Sequence, residues 1–549
     1  MLIALAQQNY IIGNFEYNCK KIVEAIEKAE KQNVDLIVFS ELSVCGYPPH
    51  DLLEDEYFVK KSLECVKEIA LHCGKIAAIV GAPSVNTNPQ GKGLFNTAFF
   101  LHDKKIIAQY HKALLPTYDI FDEYRYFEPG SEFKVIEFRD ERIAITICED
   151  LWDEIPDESI PYKRARMYNV SPMAEMAAQR PSLVVNIAAS PFSYSKIRLK
   201  QEIFCNHAKN YRLPLLYVNQ IGAHTDLIFD GGSMVIDSKG HVAGALNLFE
   251  EDFRIIDSKN ITLEDKRSIE KPEVEKMHDA LVLGIRDYFQ KSGLKKATLG
   301  LSGGIDSAVV LVLAVKALGA ENVRVLLMPS KYSSGHSVGD ALKLAENLGV
   351  QKDIINIQSV VDSFKTSLSP IFANLPEDIT EENIQARTRG VLLMAISNKF
   401  GHILLNTSNK SEIAVGYGTL YGDMNGGLSV IGDVYKSDVY KLAHFMNKDK
   451  DVIPQNIIDK APSAELRPDQ KDSDSLPDYV LLDAILFQYI ENRKCKKEII
   501  DMGYDKAVVE KTIKMVNFNE YKRFQTPPIL RISSKSFGFG RRMPIVAKY

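Results

Sequence analysis

From the N-terminus to about residue 255, short apolar runs alternate with stretches whose apolar residues recur at helical spacing. Ile3 to Leu5, Leu36 to Phe39 and Ile76 to Val80 predict strands, with helices near Asn18 to Lys31 and through Glu54 to His72 between them. Leu101-His102-Asp103-Lys104 and Asp237-Ser238-Lys239-Gly240 carry hairpin-turn chemistry. Ile143 to Ile147, Leu183 to Ile187 and Leu215 to Val218 are almost continuously apolar, as strands buried on both faces are. This half reads as α/β with layered sheets.

Between Asp257 and Glu273 the chain turns charged and loses its apolar period, which suits a surface linker and divides the protein into 1–256, 257–273 and 274–549. A second α/β pattern begins near Val274. It comprises a helix to Lys291, a strand Ala297 to Leu301, a glycine turn, a helix Ser307 to Leu318 closed by Gly319, and a strand Val323 to Met328. Strand, tight turn and helix in that order start a doubly wound sheet, in which ligands gather at strand C-terminal ends. Ala461 to Tyr479, with its Pro, Asp and Ser residues, reads as a mobile loop.

Composition fits this picture. At 549 residues the chain exceeds one ordinary core, and 45% hydrophobic with 25% charged residues is the balance of a soluble globular protein. The net charge of −5 gives no footprint for nucleic acid or an anionic membrane, although a local phosphate pocket is compatible with it. The N-terminus lacks the basic region of a signal peptide, and the apolar stretch from Ala308 meets Lys316 after only eight residues, so no membrane span is expected. Seven scattered cysteines without a CxxC pair point to reduced thiols in a cytoplasmic setting, not to a disulfide framework or a zinc site.

Candidate chemistry first appears at Gly300-Leu301-Ser302-Gly303-Gly304-Ile305-Asp306-Ser307, between a predicted strand and a predicted helix. Its glycines let backbone N–H groups close on phosphate oxygens, its hydroxyls add donors, and the helix start adds partial positive charge. No lysine follows the glycines, so this is not a Walker A loop. Asp306 would repel a phosphate unless a cation lay between them, and Mg²⁺ is the natural choice. The plain alternative is a glycine turn that only caps a helix.

In this strand-to-helix context the SerGlyGlyXaaAspSer run resembles the pyrophosphate-binding loop of the ATP pyrophosphatases, which cleave ATP to AMP and pyrophosphate while adenylating a carbonyl or carboxyl oxygen. Met328-Pro329-Ser330-Lys331-Tyr332-Ser333-Ser334, Asn383-Ile384-Gln385-Ala386-Arg387-Thr388-Arg389, Asn406-Thr407-Ser408-Asn409-Lys410-Ser411-Glu412 and Tyr435-Lys436 follow in order. Together they resemble the NAD synthetases of that superfamily. The resemblance implies a Rossmann-like sheet in which Gly300 to Ser307, Thr407 and Lys436 bind ATP as co-substrate. It also implies that Asp306 and Glu412 share Mg²⁺, and that Asn383, Glu412, Tyr417, Gly418, Thr419, Leu420 and Lys522 contact deamido-NAD. Ser408-Asn409-Lys410-Ser411 stands where the ammonia-dependent branch has Asp-His-Ala-Ala, a departure that matches the glutamine-dependent branch. Taken singly, Asn383 or Arg389 would more often be a helix-surface polar group, and Glu412 a solvated carboxylate; the ordered set is what carries the resemblance.

Cys148 ends the apolar run Ile143 to Ile147 and precedes Glu149-Asp150-Leu151-Trp152. A lone cysteine there can be a small buried hydrophobe, and reactivity needs a base and a nearby cation. Phe39-Ser40-Glu41-Leu42 and His111-Lys112-Ala113-Leu114 could supply them, with Glu41 as general base and Lys112 stabilising a tetrahedral oxyanion. The alternatives are a helix-start carboxylate and a surface cation.

The set Glu41, Lys112 and Cys148 resembles the nitrilase superfamily, whose Glu-Lys-Cys triad hydrolyses amides through a thioester on an αββα sandwich. Tyr118-Asp119-Ile120-Phe121-Asp122-Glu123, Arg125-Tyr126-Phe127 and Gly130 match the form of that domain fused to NAD synthetases. The resemblance implies that Tyr118, Ser190 and Lys196 bind glutamine and that the Glu149 N–H joins Lys112 in the oxyanion hole. Lys196 stands where an arginine is sometimes found.

Ammonia joins the halves. The first would release it from glutamine, and the second would add it to adenylated deamido-NAD. Free ammonia protonates in water, so a buried passage is expected, and the resemblance implies a homo-oligomer. Two rivals stay open: a related adenylating synthetase with another acceptor, and a first half that is only a scaffold, against which the intact Glu41, Lys112 and Cys148 set speaks.

Overall fold

In the computed structural model, which describes residues 1–153, 167–261, 271–373, 375–468 and 470–548, the apolar runs of the first half become two six-stranded sheets and a hairpin. The strands are β1 (Leu2–Gln7), β2 (Leu36–Val38), β3 (Ala77–Val85), β4 (Leu94–His102), β5 (Lys105–His111), β6 (Val135–Phe138) and β7 (Glu141–Ile147). They continue as β8 (Leu183–Ala188), β9 (Leu215–Asn219), β10 (Ile221–His224), β11 (Leu227–Asp230), β12 (Met234–Ile236), β13 (Val242–Ala245) and β14 (Asp252–Asp257). One sheet runs β14-β1-β2-β3-β4-β5 and the other β13-β12-β9-β8-β7-β6.

Side chains alternate across each strand, and both faces are used. Ala4, Ala6, Ile37, Phe39, Ala78, Val80, Phe99 and Leu101 pack against helices α1 (Phe15–Glu30) and α2 (Glu56–Leu71). The intervening Ile3, Leu5, Leu36, Val38, Ala77 and Ile79 are also fully buried, and β1 and β4 touch β9 and β7 of the second sheet. Helices α3 (Pro172–Ala177) and α4 (Ile197–Tyr211) contact the second sheet, at β7 and β12. The expected layered sandwich is thus present.

Both hairpins form where the turn chemistry placed them, between β4 and β5 and between β12 and β13. Asp103 and Lys104 both take positive φ, the mirror-image turn that suits strand twist. β14 pairs antiparallel with β1 from Leu2↔Asp257 to Gln7↔Asp252, so the last strand completes the first sheet.

The chain divides into compact units Met1–Lys271 and Pro272–Tyr549. Asp257, expected to open the linker, is the last residue of β14, and residues 262–270 of that linker lie outside the described residues.

The second unit carries α5 (Glu273–Lys291), β15 (Ala297–Gly300), α6 (Ile305–Leu318), β16 (Val323–Leu327), α7 (Gly335–Leu348), β17 (Gln351–Ile354), α8 (Gln358–Phe372) and α9 (Ile379–Phe400). β18 (Ile403–Asn406), α10 (Lys410–Val415), β19 (Leu428–Ser429) and α11 (Lys436–Met446) follow. The sheet order is β17-β16-β15-β18-β19, all parallel. The chain moves outward from β15 on one side, then returns to β18 on the other, which opens a crevice at the strand ends beside β15. The segment expected as a mobile loop from Ala461 to Tyr479 is irregular but anchored: Gln385 Nε2 donates to Leu466 O at 2.9 Å, and Tyr479 already begins a helix.

Candidate active sites

In the first unit, Glu41 and Lys112 are fully buried and Cys148 nearly so. Glu41 follows β2 in a turn that presses on β3. A Cβ at Gly81 would lie 2.2 Å from Leu42 N and 2.8 Å from the Glu41 carbonyl carbon, so only glycine lets the turn come this close. Lys112 follows β5, and its Nζ donates to Glu41 Oε1 at 2.7 Å and to Glu123 Oε1 at 2.8 Å. Asn96 Nδ2 donates to Glu41 Oε1 at 2.7 Å, and the Ala189 N–H donates to Oε2 at 3.0 Å.

Cys148 begins a short 3₁₀ turn at the end of β7 with φ of 41°, a sharp bend that turns the chain away from the strand at the nucleophile candidate. Asp150 fixes the bend. Its Oδ2 accepts the Ile147 N–H at 2.9 Å, and its Oδ1 accepts those of Ala113 and Leu114 at 3.0 and 2.9 Å.

The electrostatics divide the labour. Burial opposes a charge on Lys112, but Glu123 and Glu41 overcome this and hold the ammonium well above its usual range. Burial and then Glu41 push the Cys148 thiol well up, with Lys112 opposing, so a base would be needed to ionise the sulfur. Burial pushes Glu123 up to about 7 against the pull of Lys112.

Around this centre, Tyr118 OH donates to Glu149 Oε1 at 2.9 Å, and Tyr168 OH donates to the same oxygen at 2.8 Å. Burial holds Glu149 at about 7 despite Lys112 and these phenols. Ser190 directly follows Ala189, and its N–H is held by Asn219 Oδ1 at 2.9 Å. Lys196 caps the start of α4, whose buried lysine is Lys200, 3.6 Å from Asp230. Sequence reasoning did not single out Glu123, Asn96 or Asp150 as site residues. Asp150 had one readable signal, a carboxylate just past a strand end.

In the second unit, Gly300 to Ser307 forms the turn between β15 and α6 at the crevice. Gly303 has φ of 80°, and a Cβ there would lie 2.3 Å from the Ser337 carbonyl oxygen. The Gly304 N–H donates to Ser302 Oγ at 3.2 Å, and Ser307 Oγ donates to Gly304 O at 3.0 Å, so the loop is braced by its own hydroxyls. A cavity of about 250 Å³ opens on one side of it, lined by Gly300, Leu301, Ser302, Met328, Arg389 and Thr407 among others.

On the other side, Asp306, Glu412 and Lys436 meet in a smaller pocket with Gly303 and Gly304. Lys436 Nζ donates to Asp306 Oδ2 and lies 3.7 Å from Glu412 Oε1. Asn409 caps α10, accepting the Glu412 N–H at 3.0 Å, while its Nδ2 donates to Asp306 Oδ1 at 2.9 Å. Burial and the neighbouring Asp306 raise Glu412 to about 8, and Lys436 only partly offsets them. A further positive charge is what this oxygen set lacks. Among the described residues no group of three or more His, Cys, Asp or Glu side chains forms a cage, so a cation here would draw remaining ligands from phosphate and water.

Of the residues expected at deamido-NAD, Tyr417 to Leu420 form the loop after α10, and Asn383 of α9 and Lys522 bond to it. Thr419 Oγ1 donates to Asn383 Oδ1 at 2.7 Å, Arg387 Nε to Leu420 O at 3.2 Å, and Lys522 Nζ to Gly416 O and Gly418 O at 2.8 Å each. Tyr417 OH donates to Asp472 Oδ1 at 3.1 Å, and Asp472 borders the pocket of Asp306. Burial lowers Lys522. The departure at Lys410-Ser411 points inward instead: fully buried Lys410 pairs with Asp433 at 2.9 Å and with Glu491, and donates to Ser533 Oγ at 2.8 Å. Lys410 thereby holds the C-terminal segment in place, and Ser411 Oγ donates to Asp483 Oδ1.

The carbon-nitrogen hydrolase family profile matches residues 2–268 and the NAD synthase profile residues 277–526. A glutamine-dependent NAD(+) synthetase of Synechocystis sp. is 44% identical over 555 aligned residues, covering 100% of this chain and 99% of the relative. One from Thermotoga maritima is 40% identical, covering 100% and 98%. A solved glutamine-dependent NAD+ synthetase of Acinetobacter baumannii in complex with ADP superposes with a TM-score of 0.78 at 38% identity, covering 99% of this chain and 98% of that one.

Proposed function

The chain belongs to the glutamine-dependent NAD(+) synthetase family, and we propose that it works through the two sites just described. The observation that carries the assignment is that one chain holds both a buried Glu41–Lys112 pair acting on the Cys148 thiol in its first unit and a glycine loop with facing carboxylates in its second.

At the first site, Glu41 takes the thiol proton as Sγ attacks the side-chain amide carbon of glutamine. Lys112 and the Glu149 N–H receive the oxyanion. Glu41 returns the proton to the leaving nitrogen, ammonia departs, and water activated by Glu41 releases glutamate from the thioester. Tyr118, Ser190 and Lys196 hold the amino acid. Asn96 and the Ala189 N–H fix the base so that its Oε1 faces Lys112.

At the second site, Gly300 to Ser307, Thr407 and Lys436 bind ATP. Asn383, Glu412, Tyr417 to Leu420 and Lys522 hold deamido-NAD with its nicotinate carboxylate toward the α-phosphorus. That carboxylate displaces pyrophosphate, ammonia attacks the adenylated carbonyl carbon, and AMP leaves with NAD formed. Asp306 and Glu412 would hold Mg²⁺, which when bound neutralises charge on the phosphates. The raised Glu412 carboxyl fits that role, since nearby positive charge would ionise it.

The cytoplasmic setting read from the sequence is supported by seven scattered, unbridged cysteines. A homo-oligomer is supported by Ile371, Leu375, Ile379 and Val391 on and between α8 and α9, each 65–76% exposed. The deciding experiment supplies deamido-NAD, ATP and amide-¹⁵N glutamine. Label should appear in the carboxamide of NAD, with AMP and pyrophosphate released one for one; ADP and phosphate would refute the adenylation route.

A further inference from the structure

Two lysines line the pocket beside Gly303 and Gly304, and they are held in different ways. Lys436 is buried and pinned between Asp306 and Glu412. Lys460 ends helix α12 (Gln455–Asp459), and its side chain is 33% exposed. Its ammonium donates to Ser337 Oγ and, at 2.5 Å, to Glu465 Oε1. Glu465 is itself held: Ser337 Oγ donates to Oε1 at 2.8 Å, Ser334 Oγ to Oε1 at 3.1 Å, and the Ser334 N–H to Oε2 at 3.3 Å.

An ammonium has three N–H donors. Ser337 and Glu465 take two, and among the described residues no further acceptor is bonded to the third. Ser337 is also the residue whose carbonyl abuts Gly303, so the same residue positions both the loop and the lysine. Glu465 borders the larger cavity along with Ser302 and Thr407, which sets the pair between the two spaces that flank the loop.

We propose that Lys460 is a phosphate-binding residue of the synthetase, donating its remaining N–H to the β- and γ-phosphoryl oxygens of ATP and to the pyrophosphate that leaves. This rests on the reading that ATP lies along Gly300 to Ser307. Charge builds on the leaving pyrophosphate as the bond to the α-phosphorus breaks, so a donor fixed at that end acts most strongly in the transition state. Glu465 is then a positioning residue: it does not touch ATP but prevents the long lysine side chain from swinging into solvent.

The test uses the full chain with ammonium chloride as nitrogen source, and reads inhibition by each product. In Lys460→Met, the inhibition constant for inorganic pyrophosphate should rise by about 10- to 100-fold, the loss of one charge-assisted hydrogen bond. Inhibition by AMP should stay within about twofold, and Lys460→Arg should recover most of the pyrophosphate affinity. Glu465→Gln, which keeps the ammonium but weakens its hold, should give a smaller rise. Unchanged pyrophosphate inhibition in Lys460→Met overturns the proposal. So does an equal loss for AMP and pyrophosphate, or a Glu465→Gln effect as large as that of Lys460→Met, since either makes Lys460 a tether for its segment. If Asp306→Asn loses pyrophosphate affinity while Lys460→Met keeps it, the loop assignment stands and Lys460 alone is wrong; if neither loses it, the loop assignment itself fails.

Discussion

The carboxylate of Asp150 accepts the backbone N–H of Ala113 at 3.0 Å. This bond ties the turn that presents Cys148 to the residue after Lys112, so the proposed nucleophile and the proposed oxyanion donor are set by one side chain. Asp150→Asn puts an N–H where the Ile147 or Ala113 N–H must donate. Glutamine hydrolysis should fall by about 10- to 100-fold, the effect of misplacing reacting groups by a fraction of an ångström to one. Ammonium-driven synthesis, assayed on the same sample, should be unaffected.

Removing the sulfur separates the two chemistries. Cys148→Ala should abolish glutamine-dependent NAD formation and leave the rate with ammonium salts near that of the parent. The lost atom costs about 1 to 3 kcal/mol, which a unit of this size tolerates. Near-normal synthesis from glutamine would make Cys148 a core residue only.

Asp306→Asn and Glu412→Gln should each lower synthesis by roughly 10²-fold or more, the scale of a metal's contribution to phosphoryl chemistry. Initial glutamine hydrolysis should change far less. A titration with Mg²⁺ should shift the half-activation point upward in both variants, and full activity of Asp306→Asn at ordinary Mg²⁺ would contradict the assignment.

Gly303→Ala meets two penalties at once, a φ of 80° and a Cβ 2.3 Å from a backbone oxygen. Each such strain costs on the order of 1 to 3 kcal/mol. The KM for ATP should rise at least about tenfold, with the KM for glutamine little changed. Gly304→Ala is the control: its φ is ordinary and its Cβ would lie 3.3 Å from the Ser302 hydroxyl, which can rotate.

Where the sequence could be read, the reason was local. The strand from Glu141 to Ile147 and the helix from Ile305 to Leu318 announce themselves by apolar runs and a closing glycine, and the Ser302-to-Ser307 hydroxyl and glycine spacing is set within one turn. Glu41, Lys112 and Cys148 were found as types of residue at strand ends, but their meeting depends on pairings far apart in the chain. Glu123 and Asn96 escaped because a buried polar side chain and a surface one look alike in sequence; only the shared Lys112 and Glu41 partners tell them apart. Lys410 misleads in the opposite way. It lies inside a motif expected to face ligand, yet it is fully buried, and its counter-charges come from Asp433 and Glu491, which no spacing rule connects.

The pairing of β14 with β1 also bears on how the first unit is made. Leu2 meets Asp257, so the sheet that carries Glu41 is closed by a strand synthesised some 250 residues later. Contacts of such separation are paid for in chain entropy before they return any stability, which slows folding. Until β14 arrives, one edge of β1 presents unpaired N–H and C=O groups to any passing strand. The nascent first half therefore carries an edge open to wrong strand pairing until residue 257 has been made. The β1 amide protons that bond to β14 should become protected from exchange with solvent only in the last step of refolding, whereas that of Leu2, held by Asp35 Oδ2 at 2.9 Å on the β2 side, should be protected earlier.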